Sequence, residues 1–224
     1  KEHCSEQIHA LNSFIEDAYK FLPNKDYSTI RFGGGTALAI YYFQHRLSFD
    51  IDLFVTDVQI LNYLSPKHWI DETDKFNTSK YIDLSNHIRV LEKKNNIKVD
   101  VLVSQSASSK YFLDDSKDIF YSDVYVESIE DIIAKKIVYR RNDNLTRDII
   151  DIAIAIKVQD SILQNMLESG LINKQDLKEL KNSLEHLDRT TFLEEIEIVA
   201  PFQKYIDDAK NAPEIIKREC INLL

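Results

Sequence analysis

Three of the four glycines in this 224-residue chain stand together as Gly33-Gly34-Gly35. In a sequence with only four glycines and four prolines, such a run marks a place where the backbone turns more sharply than a side chain tolerates. Thr29-Ile30-Arg31-Phe32 before it has strand character, and Thr36 to Phe43 after it reads as a helix, so the glycines are expected at a strand-to-helix corner. A second strand follows soon after. Phe49-Asp50-Ile51-Asp52-Leu53-Phe54-Val55 alternates with period two, which sends Asp50 and Asp52 to one face while Ile51 and Leu53 pack on the other. Two neighbouring carboxylates close to a turn rich in backbone amides suggest a metal seat beside a phosphate seat.

The remaining pattern supplies a frame. Ile8, Leu11, Phe14, Ile15, Ala18 and Phe21 recur at helical spacing across Ser5 to Leu22, and Pro23 closes that helix. His87 to Leu91 and Ile97 to Val103 flank Asn95-Asn96 as the arms of a hairpin. Asp100 lies inside the second arm, where a buried carboxylate is costly unless a partner or metal meets it. Helical stretches follow at Glu130 to Arg141, Thr146 to Val158, Lys174 to Leu187 and Ala212 to Leu223. Pro66 to Lys80, with the only tryptophan, Trp69, shows no period and is expected as loop. The expected fold is α+β: a mixed sheet with flanking helices over residues 1–126, then a helical bundle over 127–224. Tyr41, Tyr42, Phe43, Phe112, Phe120 and Tyr121 are expected in the core rather than as a base-stacking platform.

Composition sets the outer limits. A chain 44% hydrophobic and 29% charged can bury a real core, and a formal net charge of −9 leaves any nucleic-acid contact to a local patch. Two distant cysteines, Cys4 and Cys220, suggest no disulfide framework or zinc site. A polar amino terminus without an apolar stretch, and the lack of a membrane-length apolar run, make the cytoplasm the expected location.

Magnesium usually takes one or two carboxylates plus substrate phosphates, so Asp50 and Asp52 form a suitable half-site that Asp100 could complete. Two metals on three carboxylates would suit in-line displacement at phosphorus. Competing motifs fit poorly: no Gly-Lys-Ser/Thr follows the glycines, and they are not spaced G-x-G-x-x-G. Nor does a Gly-Thr follow the second aspartate, as a haloacid-dehalogenase-type phosphatase would require. Several residues keep two readings. Lys135, Lys136, Arg140 and Arg141 are either functional or a solvated helix face. Asp148 and Asp151 either act or only complement a helix dipole. Arg46 either clamps a phosphate or tethers the loop before Asp50, and His45 reads as a helix-end residue.

Phe32-Gly33-Gly34-Gly35-Thr36-Ala37-Leu38-Ala39, then His45-Arg46-Leu47-Ser48-Phe49-Asp50-Ile51-Asp52-Leu53-Phe54, resembles the AbiEii/AbiGii-type (DUF1814) nucleotidyltransferases of the polymerase-β-like superfamily. Lys136 and Arg147-Asp148-Ile149-Ile150-Asp151 are similar to that family's helical motif, so the resemblance covers roughly Ile30 to Ile156. It implies that Gly34, Gly35 and Thr36 hold a triphosphate, with Arg46 beside them. It further implies that Asp50, Asp52 and Asp100 ligate magnesium or manganese, Asp100 being the base or second-metal ligand. Lys136, in preference to Lys135, would face the phosphates, and Asp148 would orient it or contact the nucleotide from the helical side, both facing Asp50 across a groove. The implied activity moves a nucleoside monophosphate from a triphosphate to a hydroxyl on RNA or protein. The implied biology is a toxin restrained by a separately encoded antitoxin. A nucleotide-binding module without turnover, or an interaction protein, remains the alternative.

Overall fold

The computed structural model of the chain describes residues 2–104 and 110–224. Contacts divide it into two compact units, Lys1–Ile40 with Ser48–Ser128, and Tyr41–Leu47 with Ile129–Leu224.

The first unit opens with helix α1 (Ser5–Ala18), whose Ala10, Leu11, Phe14 and Ala18 are wholly buried, as its helical spacing requires. Strand β1 (Ile30–Gly33) runs into the short helix α2 (Gly34–Ala37), so the glycines occupy the expected strand-to-helix corner. The chain continues as a π-helical turn over Leu38–Tyr42 rather than the single helix expected to Phe43. Strand β2 (Asp50–Val55), helix α3 (Val58–Leu64), and strands β3 (Ile82–Leu84), β4 (His87–Leu91), β5 (Lys98–Val103), β6 (Tyr111–Asp114) and β7 (Val124–Glu127) complete the unit. They form one mixed seven-stranded sheet in the order β3-β4-β5-β2-β1-β7-β6. β2 is antiparallel to β1 and parallel to β5, β1 is parallel to β7, and β4 and β5 are the predicted hairpin.

One sheet face is apolar. Phe32, Ile51, Leu53, Val99, Val101, Ile88 and Val90 are each at most 1% exposed, and burial of such side chains contributes about 1.5–3 kcal/mol apiece. Pro66–His68 and Ile70–Glu72 are single 3₁₀ turns, too short for any amphipathic period to show, and they are not an open loop. Trp69 between them is buried, donates its indole N–H to the Leu64 carbonyl at 3.1 Å, and meets Phe14 and Phe76 edge-on.

The second unit is helical: α4 (Ile129–Arg140), α5 (Thr146–Val158), α6 (Ile162–Glu168), α7 (Lys174–Glu185), α8 (Arg189–Val199), α9 (Ile206–Lys210) and α10 (Ala212–Leu223). α5 is its centre, packed by α4, α8, α9 and α10, and Ile150, Ala153, Ile154 and Ala155 are fully buried. Tyr41–Leu47 belongs to this unit: the Phe202 amide donates to the His45 carbonyl at 2.8 Å, and the Tyr205 hydroxyl to the Phe43 carbonyl at 3.1 Å. Phe43 and Phe120 are buried as expected, whereas Phe112 is 37% and Tyr121 81% exposed, so these two are not core residues. No helix among the described residues is long and apolar enough to cross a membrane.

Candidate active site

Strand register builds the acidic part of the site. Asp52 stands opposite Gly33 on β1 and beside Asp100 on β5, and Asp100 is opposite Arg89 on β4. Gly33, Asp52, Asp100 and Arg89 therefore form one row across four adjacent strands, with Asp50 two residues along β2 on the same face. Asp50 and Asp52 are half-buried while Ile51 and Leu53 between and after them are sealed in the core.

The glycine corner is shaped to this row. Gly34 has φ +67°, a region that side chains rarely adopt, and a Cβ there would overlap the Asp52 carboxylate. A Cβ on Gly33 would collide with the Glu127 carboxylate and the Phe54 ring. At position 34 only bare backbone fits against Asp52. The amides of Gly34, Gly35 and Thr36 lie in the first turn of α2, where helical geometry leaves N–H groups without intrahelical acceptors. The Thr36 hydroxyl points inward: it is fully buried, donates to the Asp50 carbonyl, and hydrogen-bonds Ser48 Oγ at 2.8 Å. It therefore ties the corner to the start of β2.

Asp100 has the partners that a carboxylate in an apolar strand requires. Its Oδ1 accepts from Arg89 Nε at 2.8 Å and meets His87 Nε2 at 2.5 Å, and its Oδ2 accepts from Arg89 Nη2 at 3.1 Å. The hydrogen bonds that Arg89 donates to Asp100, with the charges of Asp100, Asp50 and Asp52, push its guanidinium further toward the protonated form. Neither Arg89 nor His87 belongs to a motif that the sequence singles out, although the hairpin register and the period of β4 place both on the face of Asp100.

Among the described residues no group of three or more His, Cys, Asp or Glu side chains is arranged to hold a metal ion. Asp50 and Asp52 suit a hard cation that takes one or two carboxylates and completes its shell from phosphates and water. Asp100 differs: three of its roughly four acceptor positions are already occupied.

The second unit carries its own charged cluster. Lys136 Nζ on α4 donates to Asp148 Oδ1 at 2.5 Å and meets Asp151 Oδ2 at 3.0 Å, both on α5. Arg140 Nη1 reaches Asp148 Oδ2 at 3.3 Å. Arg46 does not present its fork to solvent: it is 4% exposed and grips Asp151 through Nε to Oδ1 and Nη2 to Oδ2, both at 2.7 Å. His45, three residues past the helical turn that ends at Tyr42, is fully buried, with Nε2 at 2.6 Å from Asp151 Oδ1.

Burial alone would raise the Asp151 carboxyl, but Arg46, Lys136 and His45 hold it well below the usual carboxylate range. Asp148 is likewise lowered, chiefly by Lys136, against its own burial. His45 moves the other way for a base, because burial outweighs the attraction of Asp151 and lowers its pKa. A neutral ring whose Nε2–H donates to Asp151 follows, with Nδ1 lacking a hydrogen-bond partner among the described residues.

Two Helicobacter pylori crystal structures share this fold. JHP933 is 14% identical with a TM-score of 0.52, covering 97% of this chain and 92% of its own. A second protein with a provisional nucleotidyltransferase description is 15% identical with a TM-score of 0.50, covering 98% and 96%. A search of curated proteins returns no significant match. The family model for the nucleotidyl transferase AbiEii toxin of type IV toxin–antitoxin systems matches residues 22–209, a span holding the glycine corner, Asp50, Asp52 and Asp100, and the α4–α5 cluster. By that match the chain belongs to the AbiEii nucleotidyltransferase toxin family.

Proposed function

We propose that this nucleotidyltransferase is metal-dependent, moves a nucleoside monophosphate from a nucleoside triphosphate to a hydroxyl of RNA or protein, and is a toxin restrained by a separately encoded antitoxin. The observation that carries the proposal is the row of Gly33, Asp52 and Asp100 with Asp50 beside it, which sets the amide-rich glycine corner against an acidic pair. Asp50 and Asp52 would hold magnesium or manganese, which when bound supplies positive charge to the phosphate oxygens.

The chain's own groups do the rest. Backbone amides of Gly34, Gly35 and Thr36 donate to the departing phosphates, and the Thr36 hydroxyl supports them indirectly through the Asp50 carbonyl. Lys136, braced by Asp148, would be the side-chain cation of the reaction. Asp100 has one acceptor position left on Oδ2, enough to take a hydrogen bond or proton from the attacking hydroxyl or to touch a metal. Charge neutralisation and positioning carry most of such a phosphoryl transfer.

The test is incorporation of each of the four labelled nucleoside triphosphates, with magnesium, into total RNA and total protein. Label should enter one acceptor class with wild type and fall to background with Asp50→Ala and with Asp52→Ala. Equal incorporation by these variants would overturn the proposal.

A further inference from the structure

The cluster on α4 and α5 contains more than the transfer reaction uses. Lys136 and Asp148 have work in it, while Asp151, Arg46 and His45 do not. Asp151 is nonetheless wholly buried: Arg46 donates to it through Nε and Nη2, His45 Nε2 lies 2.6 Å from Oδ1, and the Lys136 ammonium stands 3.0 Å from Oδ2. A carboxylate offers about four acceptor positions. Hydrogen bonds from Arg46 and His45 take three of those of Asp151, and the charge of the lysine stands beside Oδ2.

Its neighbours show what such a group can do. Lys136 donates to Asp148 Oδ1, and its ammonium is also held 3.0 Å from Asp151 Oδ2, three residues along the same face of α5. Two carboxylates thus fix where the ammonium stands. Arg46 lies against Asp151 in a bidentate pair, so the buried negative charge of Asp151 is balanced without cancelling that of the lysine. The buried His45 contributes a hydrogen bond but no charge. With Arg46 and Lys136 set against Asp148 and Asp151, the buried ions balance, and Arg140 at the rim adds one further positive charge.

We infer that Asp151 is a positioning residue of the transfer reaction: with Arg46 as its bidentate counter-ion and His45 as a neutral donor, it fixes where the Lys136 ammonium stands. Arg46 then acts through Asp151 and does not clamp a phosphate. This inference rests on the proposed role of Lys136 in transfer, and its test includes a measurement that needs no turnover.

The experiment compares the full-length chain with Asp151→Asn and Arg46→Lys. Asp151→Asn removes one of the two carboxylates that hold the Lys136 ammonium. The alkaline limb of its kcat/KM profile should move to lower pH by about one unit, and its rate at neutral pH should fall about tenfold. A purely structural role would scale the whole profile and leave the limb in place. Independently of activity, the pH midpoint for labelling Lys136 with an amine-reactive reagent, read by peptide mass spectrometry, should fall in the same variant. Arg46→Lys keeps the charge and loses the fork, so kcat should drop several-fold with the triphosphate KM unchanged.

Unmoved limb and labelling midpoint in a folded Asp151→Asn protein would overturn the inference. So would an Arg46→Lys enzyme with raised KM and intact kcat, the signature of a phosphate clamp. If Asp151→Asn does not fold, the Arg46→Lys split decides. If wild type transfers no nucleotide at all, the proposed function fails, and the labelling midpoint still decides this inference.

Discussion

The two units each carry a pair of aspartates, and the pairs behave oppositely. Asp50 and Asp52 sit two apart on a strand, half-buried, at the corner of a glycine turn. Asp148 and Asp151 sit three apart on a helix, at most 4% exposed, bound by Lys136, Arg46, His45 and Arg140. Residue type is the same in both pairs, so the difference lies in burial and in the fixed cations around the helix pair. Half-buried carboxylates beside a turn of backbone amides can recruit a cation and a phosphate. Carboxylates buried among fixed cations are already neutralised, and they serve to place those cations.

This contrast is breakable by substitution. The largest effect belongs to the strand pair. Asp50→Ala and Asp52→Ala should each lower incorporation of labelled nucleotide by at least about a hundredfold, because metal-borne charge stabilisation is worth several kcal/mol. Asp50→Ala should also change stability by no more than about 0.5 kcal/mol, as expected outside a packed network. The helix pair should show the reverse balance. Asp151→Ala strands the buried Arg46 and removes one partner of Lys136, which should cost about 3–5 kcal/mol in chemical denaturation.

Gly34→Ala is intermediate. A side chain at φ +67° that also overlaps Asp52 should cost about 1–3 kcal/mol of stability and displace the acidic pair, reducing metal-dependent nucleotide binding by calorimetry.

The smallest effect is on pH dependence. Burial lowers the His45 pKa in the folded chain, so as pH falls below about 6.5 the unfolded chain takes up a proton that the folded one resists, and stability declines. Asp151 is depressed in the folded state too, so its stabilisation is present above about pH 3.9 and is lost only as pH falls further, through its folded value. Melting followed from pH 7.5 to 5 should therefore fall for wild type and fall less steeply for His45→Gln. An identical slope in the two proteins would show that His45 does not contribute to this window.

Much of the strand site is legible in the amino-acid pattern alone. Period-two alternation separates Asp50 and Asp52 from Ile51 and Leu53, and an aspartate inside Val99-Asp100-Val101 requires a partner, which proves to be Arg89 with His87. Thr146–Val158 and Ala212–Leu223 also have the expected bounds, since amphipathic spacing is strong there. Strands β6 and β7, four residues each, carry too little alternation to be found alone, and β6 lies at the sheet edge with Tyr111, Phe112 and Leu113 exposed. The Asp151 network is illegible for another reason. Arg46 and His45 reach it across more than one hundred residues of sequence, and local spacing carries no information about such a pairing.

One measurement addresses the division of labour between the two aspartate pairs directly. Magnesium-dependent incorporation of labelled nucleotide is read for Asp52→Asn and Asp151→Asn beside wild type, with the melting temperature of each sample recorded. The expected result is background incorporation with wild-type melting for Asp52→Asn, and reduced but measurable incorporation with lowered melting for Asp151→Asn. Wild-type incorporation by Asp52→Asn would contradict the account.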